Sequence, residues 1–128
     1  VYTRPDEAKA FVEATGVNAL AVAVGSAHGF YKEVPNLQLD LIAEINEATD
    51  AALVLHGSSG IPDDQLQSAI KKGITKINLA TEIKNAFMKS LQETLKHTDN
   101  IDLREVFPKA TSAATALVSN KLNTINFN

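Results

Sequence analysis

The chain has 128 residues, 45% of them hydrophobic and 21% charged, and its 12 Lys+Arg against 15 Asp+Glu give a formal net charge of −3, as expected of one soluble globular domain or a piece of one. No apolar run approaches the roughly 18 residues that cross a bilayer, and 5% aromatic content without a Lys/Arg cluster lacks both the charge footprint and the stacking platform of a nucleic-acid binder. Zero cysteines exclude disulfides, thiolate catalysis and thiolate metal ligands, so a metal would rest on His, Asp, Glu or a backbone carbonyl.

The opening at Val1, with no initiator Met and no signal-like segment, reads as the cut end of a longer chain. Thr3 is a candidate N-cap with Asp6 three residues on, and Pro5, Asp6 and Glu7 suit a first helical turn. A helix from about Pro5 to Thr15 would bury Ala8, Phe11 and Val12 on one stripe, with Gly16 as its left-handed stop. From Val17 to Val24 the chain is apolar on both faces, the pattern of a parallel strand covered on both sides. That run ends at Gly25-Ser26-Ala27-His28-Gly29, and a loop from Phe30 to Asn36 leads to a helical period carried by Leu39, Ile42, Ala43 and Ile45 up to Thr49.

The next strand, Ala52 to His56, runs into Gly57-Ser58-Ser59-Gly60, and Pro62-Asp63-Asp64 opens a helix burying Leu66, Ala69 and Ile70 before Gly73. A third strand, Ile74 to Leu79, passes through Ala80-Thr81-Glu82 into a long helix with Ile83, Ala86, Phe87, Leu91 and Leu95 on one face. A last helix, Leu103 to Leu122, carries Phe107, Ala110, Ala114, Leu117 and Val118, and residues 123–128 read as a frayed tail beyond a single unit spanning 1–122. The alternation predicts an α/β fold with a parallel sheet. Three parallel strands leave both edges unpaired, so something must complete the sheet. A strand-to-strand spacing of about 25 to 30 residues matches a (β/α)₈ barrel of ~250 residues, of which this chain would be the second half.

In such folds ligands gather at the carboxyl ends of strands. His28 and His56 stand at equivalent positions one β-α unit apart, so their imidazoles would rise from one face of the sheet, where two neutral rings can share one Zn²⁺. Alternatively they cap helix ends or bond carbonyls. Gly57-Ser58-Ser59-Gly60 and Asn78-Leu79-Ala80-Thr81 each precede a helix N-terminus, where unsatisfied N–H groups and small residues admit a phosphate; alternatively Ser59 and Thr81 are ordinary N-caps. Lys76 shares a face with Asn78 and would need a partner carboxylate if buried, or would snorkel out of the sheet end. His97, in the last turn of the long helix, reads as structural or solvated.

Three passages carry a family resemblance: Ala-Val-Gly-Ser-Ala-His-Gly (23 to 29), Leu-Val-Leu-His-Gly-Ser-Ser-Gly-Ile-Pro (53 to 62) and Lys-Ile-Asn-Leu-Ala-Thr-Glu (76 to 82). In order and separation they resemble the C-terminal half of class II, zinc-dependent ketose-bisphosphate aldolases, and Ala-Thr-Glu-Ile-Lys (80 to 84) is similar to the tagatose-bisphosphate branch, the fructose-bisphosphate branch coming next. The resemblance implies a (β/α)₈ TIM barrel with the three strands as its sixth to eighth. It matches His28 and His56 to two of three zinc-binding histidines, and Gly29, Gly57, Ser59, Asn78 and Thr81, with the adjoining Ser58, Leu79 and Ala80, to the segments that hold dihydroxyacetone phosphate. Ser58 replaces the Ala or Gly usual in that loop and adds either a phosphate donor or a small clash.

The implied reaction is reversible cleavage of tagatose or fructose 1,6-bisphosphate to dihydroxyacetone phosphate and glyceraldehyde 3-phosphate through a zinc-stabilised enediolate. The resemblance also implies a cytoplasmic lyase of carbohydrate metabolism and glycolysis, a monovalent cation (Na⁺ or K⁺) near the phosphate, homo-oligomers and an accessory subunit. The family's third zinc ligand and its general-base Asp precede the point where this chain begins, so no catalytic residue falls within it. The N-terminal half of the barrel is then an expected partner, and the chain alone is expected to be inactive. The rival reading is a non-catalytic half-barrel that binds sugar phosphates or serves assembly.

Overall fold

Short apolar runs alternating with amphipathic stretches give the expected order of elements. A computed structural model describes residues 1–127, with α1 (Pro5–Thr15), β1 (Ala19–Ala21), α2 (Leu39–Ala48), β2 (Ala52–Leu55), α3 (Asp63–Lys71), β3 (Ile74–Ile77), α4 (Thr81–Leu95), α5 (Leu103–Val106) and α6 (Pro108–Ile125). Two compact units divide the chain, Val1–Leu79 and a second beginning at Ala80. No helix among the described residues is long and apolar enough to cross a membrane.

In the first unit the strands pair in parallel in the order β1-β2-β3. Spatial order equals chain order, the winding of a barrel arc, whereas a doubly wound sheet reverses direction. The central strand β2 buries Leu53, Val54 and Leu55, Ile74 of β3 pairs with Leu53, and Ile42 and Ile45 of α2, Leu66 of α3 and Ile74 are fully buried. Gly73 turns the chain from α3 into β3 at φ 129°, where a Cβ would sit 2.5 Å from Cγ of Asn46.

Two local expectations change here. Thr3 does not cap α1. The cap position is Arg4, without a side-chain bond, while Thr3 binds Ala23 twice: its N–H donates to the Ala23 carbonyl at 2.9 Å and its hydroxyl accepts from the Ala23 N–H at 2.8 Å. That pairing takes over the backbone beyond β1, which spans three residues with register partners instead of the eight from Val17 to Val24. Nor is β1 covered on both faces. Leu20, Val22 and Val24 turn inward while Ala19, Ala21 and Ala23 are exposed, and on α1 only Ala8 is buried, with Phe11 52% exposed.

β3 carries a bulge. Leu53 pairs with Ile74 but Val54 pairs with Lys76, which leaves Thr75 without a register partner, and its hydroxyl donates to the Leu53 carbonyl at 3.1 Å. A bulge bends a strand and re-aims the side chains that follow it.

In the second unit α4 packs on α6. The helix read from Leu103 to Leu122 is two, because Pro108 lacks an N–H and its ring clashes with the carbonyl four residues back; α5 ends at Val106 and α6 starts at Pro108. Phe107, at the break, meets Phe87 edge to face at 5.5 Å, above the buried Val106 and Ala110. Lys121 and Glu82 pair across the two long helices at 3.4 Å. Asp102 caps α5 through the Arg104 N–H, and the Arg104 guanidinium beside it holds its carboxyl below the usual range. Helix α6 continues through Asn123 to Ile125, residues read as tail, and Asn128 falls outside the described residues. His97 lies past the end of α4, exposed, with Nε2 3.3 Å from Glu93.

Because Leu53 is fully buried in the strand that presents His56, Leu53→Ala is expected to lower the unfolding free energy by about 2–5 kcal/mol, read from urea denaturation.

Candidate functional site

The carboxyl ends of the three strands lie side by side along one edge of the parallel sheet in the first unit. His28 follows β1 on the turn after Gly25, and His56 stands directly after Leu55 of β2. The rings lie 5.8 Å apart between centroids at an interplanar angle of 70°, and both residues are exposed. Two imidazoles bound to one tetrahedral zinc at about 2.0–2.1 Å have centroids roughly 5 Å apart, close to the 5.8 Å between these rings. The chemistry of the pair also fits, since neutral imidazole is the commonest ligand of such cations. Among the described residues no group of three or more His, Asp or Glu gathers that could hold a metal ion, and the two imidazoles stand as a pair.

The third strand adds an amide and a cation. Nδ2 of Asn78 is 3.3 and 3.4 Å from the two ring nitrogens of His56, and Oδ1 of Asn78 accepts from Nζ of Lys76 at 2.8 Å. An ammonium only donates, so Lys76 fixes which end of the amide is oxygen and leaves the NH₂ toward the imidazole. Lys76 is exposed and partnered by an amide, which removes the need for a carboxylate. His28, His56, Asn78 and Lys76 thus form one continuous polar line across the strand ends.

The phosphate loops divide. Gly57 has φ 64° and a Cβ there would lie 2.4 Å from the Ala27 carbonyl oxygen, so the turn after β2 rests directly on the turn after β1. Gly29 has φ 92° with open space around its missing Cβ, room for a ligand to approach the backbone. Ser58 corrects the expectation of a phosphate donor. It is fully buried, its hydroxyl donates to the Leu55 carbonyl at 3.0 Å and its N–H to the Asn78 carbonyl at 3.3 Å, so one donor closes the turn after β2 and the other ties that turn to the end of β3. Ser59 is buried beside it, and Leu79 ends the unit half-buried. Neither Ser59 nor Thr81 is an N-cap: α3 is capped at Pro62 and α4 at Ala80, both without a side-chain bond, and Thr81 is the first residue of α4.

Tyr31 was not singled out from the sequence. Its hydroxyl accepts from the Ala27 N–H at 2.8 Å and donates to the Gly57 carbonyl at 2.7 Å, joining the two turns. A lone Tyr in a polar loop has no periodicity to announce it, and only the approach of residues 26 positions apart shows its use.

Comparison with known proteins identifies the family and the fold. The family model for class-II fructose-bisphosphate aldolase matches residues 1–128. The YdjI aldolase from Escherichia coli K12 superposes with a TM-score of 0.87 at 35% identity, over 98% of this chain and 46% of that one. A protein of Coccidioides immitis provisionally assigned as a fructose-1,6-biphosphate aldolase gives a TM-score of 0.88 at 30% identity, over 98% and 44%. The fructose-bisphosphate aldolase of Campylobacter jejuni, at 21% identity and a TM-score of 0.78 over 98% and 45%, shares the fold. The chain spans under half the length of these structures, and its fold is about half of a (β/α)₈ barrel.

Substituting the glycine at the contact of the two turns gives a direct check. Gly57→Ala is expected to destabilise the chain by more than about 1 kcal/mol, seen as a lower midpoint in urea, because the left-handed φ and the Ala27 carbonyl both exclude a Cβ.

Proposed function

The chain belongs to the class-II fructose-bisphosphate aldolase family, and from that premise we propose that it is the metal- and phosphate-binding half of an enzyme that reversibly cleaves a ketose 1,6-bisphosphate, tagatose or fructose, to dihydroxyacetone phosphate and glyceraldehyde 3-phosphate. The facing of His28 and His56 at 5.8 Å on the ends of adjacent parallel strands carries this reading. A module that only bound phosphate would have no use for that pair.

His28 and His56 would hold a zinc ion with a third ligand from the other half of the barrel, and zinc when bound supplies Lewis-acid polarisation of a ketone oxygen. The remaining work falls to this chain's own groups and to a carboxylate base from the absent half. In the cleavage direction that base removes the proton of the C4 hydroxyl, the C3–C4 bond breaks, and the electron pair passes toward the ketone. Asn78, held by Lys76, presents its NH₂ beside His56, where it orients the oxygen atoms of the three-carbon fragment. Within the first unit the open backbone at Gly29 and the turn at Gly57 and Ser59 supply N–H groups for the phosphate; in the second, α4 opens at Ala80 and Thr81 without a side-chain cap, a start of the kind that suits an anion. Anchoring that remote charge fixes the reacting carbons and lets binding energy act at the bond being broken.

In the complete polypeptide, His56→Ala is expected to lower zinc content and turnover together, with metal affinity falling by about 10–100-fold or more; unchanged zinc content by metal analysis would refute the ligand role. Residues 1–128 expressed alone are expected to show no cleavage of either bisphosphate in a coupled assay. Chelator-sensitive activity from that polypeptide would overturn the division of the site between two halves.

A further inference from the structure

We propose that Tyr31 is a positioning residue for the metal site, its hydroxyl setting the distance between His28 and His56 through the backbone on either side; the inference rests on the reading of those two histidines as ligands of one ion. The register of β1 with β2 ends at Ala21 opposite Val54, so the ladder itself does not hold His28 against His56. His28 rides on a turn that leaves the sheet at Gly25, where φ is 107°. Beyond that point the Tyr31 hydroxyl joins the two turns, accepting from the Ala27 N–H at 2.8 Å and donating to the Gly57 carbonyl at 2.7 Å.

Ala27 immediately precedes His28 and Gly57 immediately follows His56. A shift of either backbone group therefore moves one imidazole relative to the other. The phenol suits the task because its ring is rigid and its hydroxyl can accept from one turn while donating to the other. Little room is left beside its ring: a Cβ added at Gly60 would lie 3.3 Å from Cδ2 of Tyr31. The absent Cβ of Gly57 lets the turns meet, and the hydroxyl holds them there. Groups that orient metal ligands from outside the coordination sphere govern affinity by 10–100-fold, and here that orientation passes through the main chain.

The test uses the complete polypeptide that carries this sequence, with wild type, Tyr31→Phe, Gly60→Ala, His56→Ala and a core control, Ile45→Val. Zinc affinity is measured by competition with a chromophoric chelator, and the geometry by visible absorption after cobalt substitution. Tyr31→Phe is expected to keep the fold by circular dichroism, bind zinc about 10–100-fold more weakly and shift the cobalt bands. Gly60→Ala crowds the ring while leaving the hydroxyl and also places Ala at φ 84°, so it is expected to lower the thermal midpoint and, with the fold kept by circular dichroism, to weaken zinc binding and shift the cobalt bands; it serves as the second probe should Tyr31→Phe fail to fold. Ile45→Val is expected to lower the thermal midpoint and leave affinity and spectrum unchanged. Wild-type affinity and an unaltered cobalt spectrum in Tyr31→Phe would overturn the positioning role while His56→Ala still lost zinc. No zinc binding by wild type, or none lost in His56→Ala, would overturn the ligand reading and the positioning role with it.

Discussion

The site depends on a missing side chain. Gly57 lets the backbone leaving β2 come within Cβ-excluding distance of the Ala27 carbonyl, at a left-handed φ that other residues rarely adopt. That approach brings the two histidine-bearing turns together, gives Tyr31 two acceptably placed partners, and turns Ser58 inward onto the Leu55 carbonyl. With a methyl group at position 57 the turns must separate, and the facing of His28 and His56 goes with them.

The rest of the first unit stiffens that contact. Leu53, Val54 and Leu55 bury the central strand, so His56 follows the most buried strand of the sheet. On the other side the bulge at Thr75 spends one residue without a register partner, and the strand then delivers Lys76 and Asn78 to the polar line beside His56. Thr3 does comparable work at the far edge by pairing with Ala23, just ahead of the turn that carries His28. Sites built on strand ends gain precision from the ladder, but the ladder stops short of the two histidines. Hydrogen bonds from side chains far apart in sequence cover the remaining distance.

Much of this was legible in the chain itself. The α1 boundaries, the three β-α passages and the strand-end placement of His28 and His56 follow from periodicity, from Pro5 and Gly16, and from the 28-residue offset of the histidines. Local rules failed where two partners compete for one group. Thr3 is a good N-cap in isolation, yet its hydroxyl is captured by Ala23; Ser58 is a plausible phosphate donor, yet the Leu55 carbonyl claims it. The apolar pattern of β1 also hid its asymmetry, because the exposed face consists of Ala19, Ala21 and Ala23, which count as hydrophobic without demanding burial.

The sequence by itself determined the parallel α/β class, the order of the strands' ends and which residue types meet there, because hydrophobic period, turn residues and helix signals are local properties. Only the tertiary structure decided the close approach at Gly57, the bridge through Tyr31, the bulge at Thr75 and the break of the last helix into α5 and α6. Three of these arise from contacts between residues distant in sequence, which no local pattern encodes. The fourth was written in Pro108, and it took the packing of Phe107 on Phe87 to show where the chain bends.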